Sequence, residues 1–272
     1  MRKTAFDYVR PPAVAGRFYP ANPAELRRSV ENYLSEAQPT EPTASDVRAP
    51  KAVIAPHAGY VFSGSVAGSA FAPFLPDKYH IARIVLIGPA HFVRVRGLAA
   101  PEWDAFSTPL GTIPVDSGLL SVLKTLPQVT ISNQPHAAEH CLEVELPFLQ
   151  VVLEQFMILP LVAGDANANE IADVLEKVWG GPETRIVVSS DLSHFFDYPT
   201  ARQLDSETAR AILALEPDAL GEESACGRAP IRGLLEAARR FGLKASLLDL
   251  RNSGDTAGPR QEVVGYGAFA FA

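Results

Sequence analysis

Four short apolar runs rich in Val, Ile and Leu lie near residues 51–55, 83–88, 157–162 and 185–190. Segments of helical periodicity lie between or after them, near 62–74, 116–125, 140–155, 167–179, 200–214 and 228–241. Alternation of this kind predicts βα units around a mostly parallel sheet flanked by helices, because a parallel pair needs a long crossover and a helix usually supplies it. The end of the chain breaks the pattern. Residues 245–250 and 263–271 read as two strands joined by a turn containing Gly, Asp and Pro, so the sheet is mixed, with an antiparallel edge. At the start, residues 1–22 read as an extended, Pro-bearing arm. Asn22 and Pro23 then supply the N-cap and first position of a helix running to about Ala37. Gln38 to Pro50 reads as an exposed loop. No repeat of fixed period and no shift in composition marks a boundary, so residues 1–272 are read as a single α/β domain.

Composition narrows the function classes. With 47% hydrophobic and 20% charged residues, the chain is that of an ordinary soluble globule. A net charge of −7 argues against nucleic acid and against acidic membranes as partners. Two cysteines, Cys141 and Cys226, are too few for a secreted disulfide scaffold and fit a reducing, cytoplasmic setting. The first residues carry charge without an apolar core, unlike a signal peptide, and no apolar stretch is long enough for a membrane span.

Three of the strand-like runs lead into potential metal ligands. Residues 53–57 end in Ala55-Pro56-His57, residues 84–91 in Gly88-Pro89-Ala90-His91, and residues 186–194 in Asp191-Leu192-Ser193-His194. In an open α/β sheet the carboxyl ends of strands face one crevice, so side chains far apart in sequence meet there. His57 and His91 share one grammar, an apolar strand followed by small residues and a histidine. Each could instead cap a turn. Asp191 and His194 fit as ligands, as an acid/base His with an Asp fixing its tautomer, or as an Asx turn. Cys226 precedes a helix beside Arg228, a setting that favours thiolate, although a small buried hydrophobe is the plainer reading. Glu139, His140 and Glu143 open the 140–155 helix as cap residues or face the crevice. Cys141 reads as structural, and His80 and His136 as loop residues. The wide spacing of these groups differs from the short pairs of structural zinc sites and suits a catalytic site with open coordination positions. No phosphate-binding Gly-rich loop and no nucleophile elbow is present.

Taken together, the segments resemble the Memo family, whose prokaryotic members are called AmmeMemoRadiSam system protein B. The match begins at Pro12-Ala13-Val14-Ala15-Gly16-Arg17-Phe18-Tyr19-Pro20. It runs through Ala55-Pro56-His57-Ala58-Gly59-Tyr60, Gly88-Pro89-Ala90-His91, Glu139-His140-Cys141-Leu142-Glu143 and Ser189-Ser190-Asp191-Leu192-Ser193-His194. It continues over Cys226-Gly227-Arg228-Ala229-Pro230-Ile231 and closes at Asn252-Ser253-Gly254-Asp255 and Val264-Gly265-Tyr266. The resemblance implies a fold similar to class III extradiol ring-cleavage dioxygenases, which hold non-haem Fe(II) on two His and one Glu. By the matching segments, His57 and His91 would be the metal histidines and His194 the acid/base. Cys226 would replace the carboxylate. It also implies Fe or Cu binding with redox activity, peptide binding in one vertebrate member, and a radical-enzyme and a small-protein partner. Cys141 stands where the family more usually has Ser.

The expected function is a metal-dependent redox protein with Fe(II) or Cu on His57, His91 and Cys226. His194 would carry protons, Asp191 and His140 would support it, and Tyr60, Glu139 and Arg228 would line the pocket. Its ligand would be a small molecule or peptide in the metal crevice. A thiolate softens the ligand set, which favours Cu(I) or Zn while remaining compatible with Fe(II), and it is open to oxidation beside O₂. Two other classes fit the same residues: a peptide- or protein-binding module using the crevice, and a zinc-dependent hydrolase.

Overall fold

Each of the four apolar runs is a strand, and each carries a helical return. The computed structural model describes residues 6–37 and 49–272. In chain order, a short strand β1 (Val9–Arg10) precedes helix α1 (Pro23–Glu36), strand β2 (Ala52–Ala55), helix α2 (Tyr60–Phe71) and strand β3 (Arg83–Pro89). Then come β4 (Leu98–Ala100), β5 (Ala105–Thr108), β6 (Gly111–Pro114), α3 (Ser117–Leu123), β7 (Val129–Ile131), α4 (Gln134–Ala137) and α5 (Leu146–Val152). The second half holds β8 (Met157–Ala163), α6 (Ala168–Lys177), β9 (Thr184–Ser189), β10 (His194–Phe196), α7 (Tyr198–Leu213), α8 (Arg228–Phe241), β11 (Ala245–Asn252) and β12 (Val263–Phe271).

The main sheet runs β10-β12-β2-β9-β3-β8-β4-β7, with β11 also paired to β12. Its centre, β2-β9-β3-β8, is parallel, and nearly every residue in these four strands is buried. Continuous burial is what a sheet covered on both faces requires, and it explains why these strands read as unbroken apolar runs. Helices α1, α2 and α5 pack together as one layer, and α6 packs with α8, which also lies on β3 and β9. At the edge, β11 and β12 are antiparallel, and β12 joins β2 antiparallel, as the terminal turn predicts.

Register decides where the strand-end residues emerge. Ala55 of β2 is level with Ser189 of β9, and Ile87 of β3 is level with Val188. Residues 57, 91 and 191 therefore leave three adjacent strands at about the same height. Neighbouring strands lie roughly 4.8 Å apart, so long side chains from them reach one another.

Several expectations need correction. Residues 139–142 form a turn rather than the start of a helix; a 3₁₀ turn at Glu143–Glu145 leads into α5 at Leu146. Pro147 has no N–H, so it suits the first turn of a new helix and interrupts a continuous one from 140. The described part of the extended N-terminal arm is tied down by one residue. The Glu143 carboxylate accepts the N–H groups of Ala13 and Val14, the hydroxyl of Tyr19, and an Arg10 guanidinium N–H at 2.7 Å. Of the loop expected at 38–50, residues 38–48 lie outside the described residues; Ala49 is buried and its N–H donates to Asp77. The short strands β4 to β7 and the separate sheet β1-β5-β6 were not expected.

Candidate metal centre

His57 enters the site from the end of β2 and is 2% exposed. Its backbone N–H donates to Asp191 Oδ1 at 2.8 Å, tying the β2 loop to the β9 loop. Its Nδ1 lies 2.8 Å from Ser189 Oγ and its Nε2 lies 3.3 Å from Cys226 Sγ. His91 follows β3. Glu139 grips it twice, accepting the backbone N–H at 2.7 Å and facing Nδ1 at 2.8 Å. That leaves Nε2 of His91 free for a ligand. A carboxylate on the far nitrogen of a metal histidine fixes its orientation and raises its basicity. The backbone N–H groups of His140 and Cys141 also donate to Glu139 Oε1.

Cys226 arrives from the other side of the sequence, just before α8. Gly227 lets it approach: a Cβ there would lie 2.5 Å from Ser190 Cβ and 2.6 Å from Ser190 Oγ. Gly227 N–H instead donates to Ser190 Oγ at 2.9 Å, and Cys226 N–H to Asp191 O at 3.3 Å. One donor atom each from His57, His91 and Cys226 lies within 4.8 Å of the others. Two ligands at roughly 2.0 Å (N) and 2.3 Å (S) from one metal sit about 3.0–3.5 Å apart at 90–110°, which brackets the His57–Cys226 separation. The donor set therefore fits a metal on three protein ligands, with positions left open.

Four imidazoles crowd this point. The His57 ring lies 5.2 Å from that of His91 and 5.4 Å from that of His140, and His91 stacks on His140 at 4.9 Å. Burial first, then the neighbouring imidazoles, holds His57 well below the usual histidine range. Burial lowers His140 to about 4 against the pull of Glu139, and lowers His194 too. Burial alone would raise Glu139, but the His91 ring and backbone and the Cys141 N–H outweigh it and hold the carboxyl at about 2. Burial raises Asp191 to about 7 despite hydrogen bonds from the His57 and Ala58 backbone.

The expected site residues separate into three groups. His57, His91, Cys226 and His140 meet directly, and His194 lies near enough to influence both His57 and His91. Asp191 is central but does not serve His194 as expected: His194 Nδ1 lies 2.8 Å from the Leu192 carbonyl, so its tautomer is set by backbone. Cys226 is not favoured as thiolate either. Burial, and then the charge of Asp191, pushes its thiol up to about 12, outweighing hydrogen bonds with the Asp191 and Gly227 backbone and Ser190. Tyr60 faces the core rather than the crevice, with its ring against Tyr19, Tyr33 and Phe148 and its hydroxyl on Val144 O. Glu139 is 2% exposed and holds the histidines from behind. Arg228 does face open space: with Cys226, Ala90 and Arg94 it lines a cavity of about 440 Å³. Cys141 is buried with its Sγ on Pro89 O, as a structural residue should be. His136 is a core residue with Nε2 on Ala99 O, and His80 is exposed.

Sequence reading missed Phe18, Phe92, Ser189 and Glu145. Phe18, from the N-terminal arm, packs on the His140 ring at 4.7 Å, and Phe92 approaches the same ring at 5.9 Å. The only hint of Ser189 was its place between the β9 run and Asp191. Glu145 stood out only as a third acid within an otherwise apolar stretch.

Comparison with known proteins gives the family. The Memo-like protein family matches residues 10–270. A MEMO1 family protein of Methanothermobacter thermautotrophicus is 33% identical over 273 residues, covering 95% of this chain and 98% of its own. Another from Methanosarcina barkeri is 35% identical over 96% of this chain and 98% of its own, and one from Aquifex aeolicus 33% over 95% and 97%. A mixed α/β sheet whose strand ends gather imidazoles and a thiol thus defines the class, and the chain belongs to the Memo family. Among the described residues, no helix is long and apolar enough to cross a membrane.

Proposed function

We propose that this protein is a metal-dependent, dioxygenase-like oxidoreductase that holds Fe(II) or Cu on His57, His91 and Cys226. The observation that carries this reading is the convergence of three donor atoms from three separate elements to within 4.8 Å. A 2-His site with one anionic ligand leaves faces open for substrate and oxidant. When bound, the metal would bring substrate and O₂ together and activate them, and the substrate would supply the electrons. The protein's own groups do the rest. His57 presents Nε2 because Ser189 occupies Nδ1, and His91 presents Nε2 because Glu139 occupies Nδ1. Cys226 would hold the metal as thiolate, releasing its proton to solvent on binding. His194, held by Leu192 O at Nδ1, keeps Nε2 for proton transfer to a small molecule in the crevice beside Cys226. Asp191 fixes the loops that carry His57 and Cys226.

Metal analysis after anaerobic purification tests this directly. Wild type should carry close to one Fe or Cu per chain, and His57→Ala and Cys226→Ser should each carry far less. Unchanged metal content in both variants would remove the proposed ligands, and zinc as the bound metal, with hydrolysis but no O₂ uptake, would replace the redox reading. One further observation supports a second reading, recognition of a peptide or protein at the same crevice. Phe92 and Phe195, 61% and 70% exposed, stand beside His91 and His194. Phe195 has φ 61°, a region rare for a bulky residue and found where surrounding structure enforces it. Peptide binding that survives metal removal and is lost in Phe92→Ala, without O₂ uptake on any substrate, would favour that reading.

A further inference from the structure

Behind His57, away from the ligand triangle, lies a buried carboxyl with no cation to balance it among the described residues. Glu145 is 0% exposed. Its Oε1 is 2.8 Å from Ser189 Oγ, and its Oε2 has no partner among the described residues. The ionisable groups facing it are Asp191, Tyr60 and Cys141, none of which carries positive charge. A lone carboxylate in such a place is costly, because burial strips its water and a single hydroxyl contact on one oxygen is all that replaces it.

Counting protons on Ser189 gives the same answer independently. Its hydroxyl lies 2.8 Å from His57 Nδ1, 2.7 Å from Cys141 O and 2.8 Å from Glu145 Oε1. A hydroxyl donates one hydrogen bond and accepts two. If Nε2 of His57 is to hold a metal, Nδ1 carries the proton and donates to Ser189. The Cys141 carbonyl can only accept, so it takes the one hydroxyl proton. The third neighbour, Glu145, must then donate, and only a carboxylic acid can. An ionised Glu145 would leave two acceptors competing for one proton, at distances where both are close.

We propose that Glu145 stands as a neutral carboxylic acid that donates to Ser189, a positioning residue that acts through Ser189 to hold the Nδ1–H tautomer of His57. The chain runs Glu145 to Ser189 to His57 Nδ1, each link at 2.8 Å, and the same ring presents its other nitrogen, Nε2, to Cys226. Burial pushes the Glu145 carboxyl well above the usual range, in the same direction as the proton count. The consequence for the metal rests on the His57–His91–Cys226 reading; the protonation of Glu145 does not, because with Nδ1 unprotonated three acceptors would face the single Ser189 proton if Glu145 were ionised.

Two measurements on the full-length protein test it. The first is infrared difference spectroscopy of metal-stripped wild type against Glu145→Gln at neutral pH. A protonated-carboxyl C=O band should be present in wild type and missing in the variant. A difference in the carboxylate region instead would overturn the proposal, and this holds even if the protein binds no metal at all. The second is titration with Fe(II) or Cu(I). Ser189→Ala should weaken binding by about 10–100-fold, the usual cost of losing a partner behind a metal histidine. Glu145→Leu, which removes the donor, should weaken it by about tenfold. Glu145→Gln, whose amide N–H can donate to Ser189 in the same place, should rescue most of that loss. Equal loss in Gln and Leu variants of equal thermal stability would show that negative charge matters, and would overturn the neutral-donor role.

Discussion

His136 shows how one residue's environment reverses its expected character. Nothing in Gln134-Pro135-His136-Ala137 predicts burial, yet the ring is 1% exposed and packs edge-on against Phe106. Its Nε2 meets Ala99 O at 3.0 Å, while Nδ1 has no partner among the described residues. Burial drives its pKa down to about 3, against the help of the Ala99 carbonyl. The unfolded value is roughly 6.5, so between the two the unfolded chain binds a proton that the folded chain refuses. Stability from this group is therefore complete above about pH 6.5 and is lost as pH falls toward 3. The contribution is at most about 4–5 kcal/mol, from about 1.4 kcal/mol per pKa unit. Urea unfolding at pH 7 and pH 4.5 should show a smaller acid destabilisation in His136→Leu than in wild type. Equal loss in both would place the acid sensitivity elsewhere.

At the scale of elements, the site is a matter of register and of close approach. In-register ends of β2, β9 and β3 bring up the two histidine loops, but the thiol depends on how closely α8 can seat against the end of β9. Gly227 is the contact point. Gly227→Val would force its side chain into Ser190, displacing Cys226 from His57. The expected cost is about 1–3 kcal/mol, as for overpacking elsewhere, with metal content falling by well over half. Unfolding curves and metal analysis on the same sample would check both, and intact metal loading would show that the helix can shift without moving the thiol. This element-scale view also explains what was legible in the sequence. The strands β2, β3, β8 and β9 are buried on both faces, so each is an unbroken apolar run that stands out. Strands β4 to β7 are three or four residues long, too short for any periodicity, and Gly111 and Pro114 bound one of them. His57, His91 and Cys226 were legible because strand ends and helix starts face a common crevice. Tyr60 was misplaced because its position, one residue past a turn glycine, does not reveal which side of the helix faces the core. The Ser189–Glu145 link was invisible because it joins residues whose proximity only the sheet registers create.

The whole molecule is stitched by contacts of long sequence range, and Glu143 is the clearest case. Its carboxylate is fully buried and gathers Arg10, the N–H groups of Ala13 and Val14, and the Tyr19 hydroxyl. Arg10 is itself 1% exposed and donates onward to the carbonyls of His136 and Glu139. Glu143 thus joins the arm to the turn that holds the histidines, and the arm in turn carries Phe18 onto His140. Removing one partner of a buried ion pair leaves an uncompensated charge, a loss of about 3–5 kcal/mol. Glu143→Ala should lose about that much in urea unfolding, and its arm should become open to proteolysis between residues 10 and 20. Glu143→Gln keeps the volume and one acceptor but not the charge, so it should fall between the two. If the arm is a fixed wall of the site, Phe18→Ala should loosen His140 and alter the spectrum of a metal loaded at the proposed site, while leaving global stability within about 1–2 kcal/mol. Glu143→Ala should do both at once. A Glu143→Ala protein with an unchanged metal spectrum and a cleaved arm would show instead that the arm is tethered to the site without shaping it.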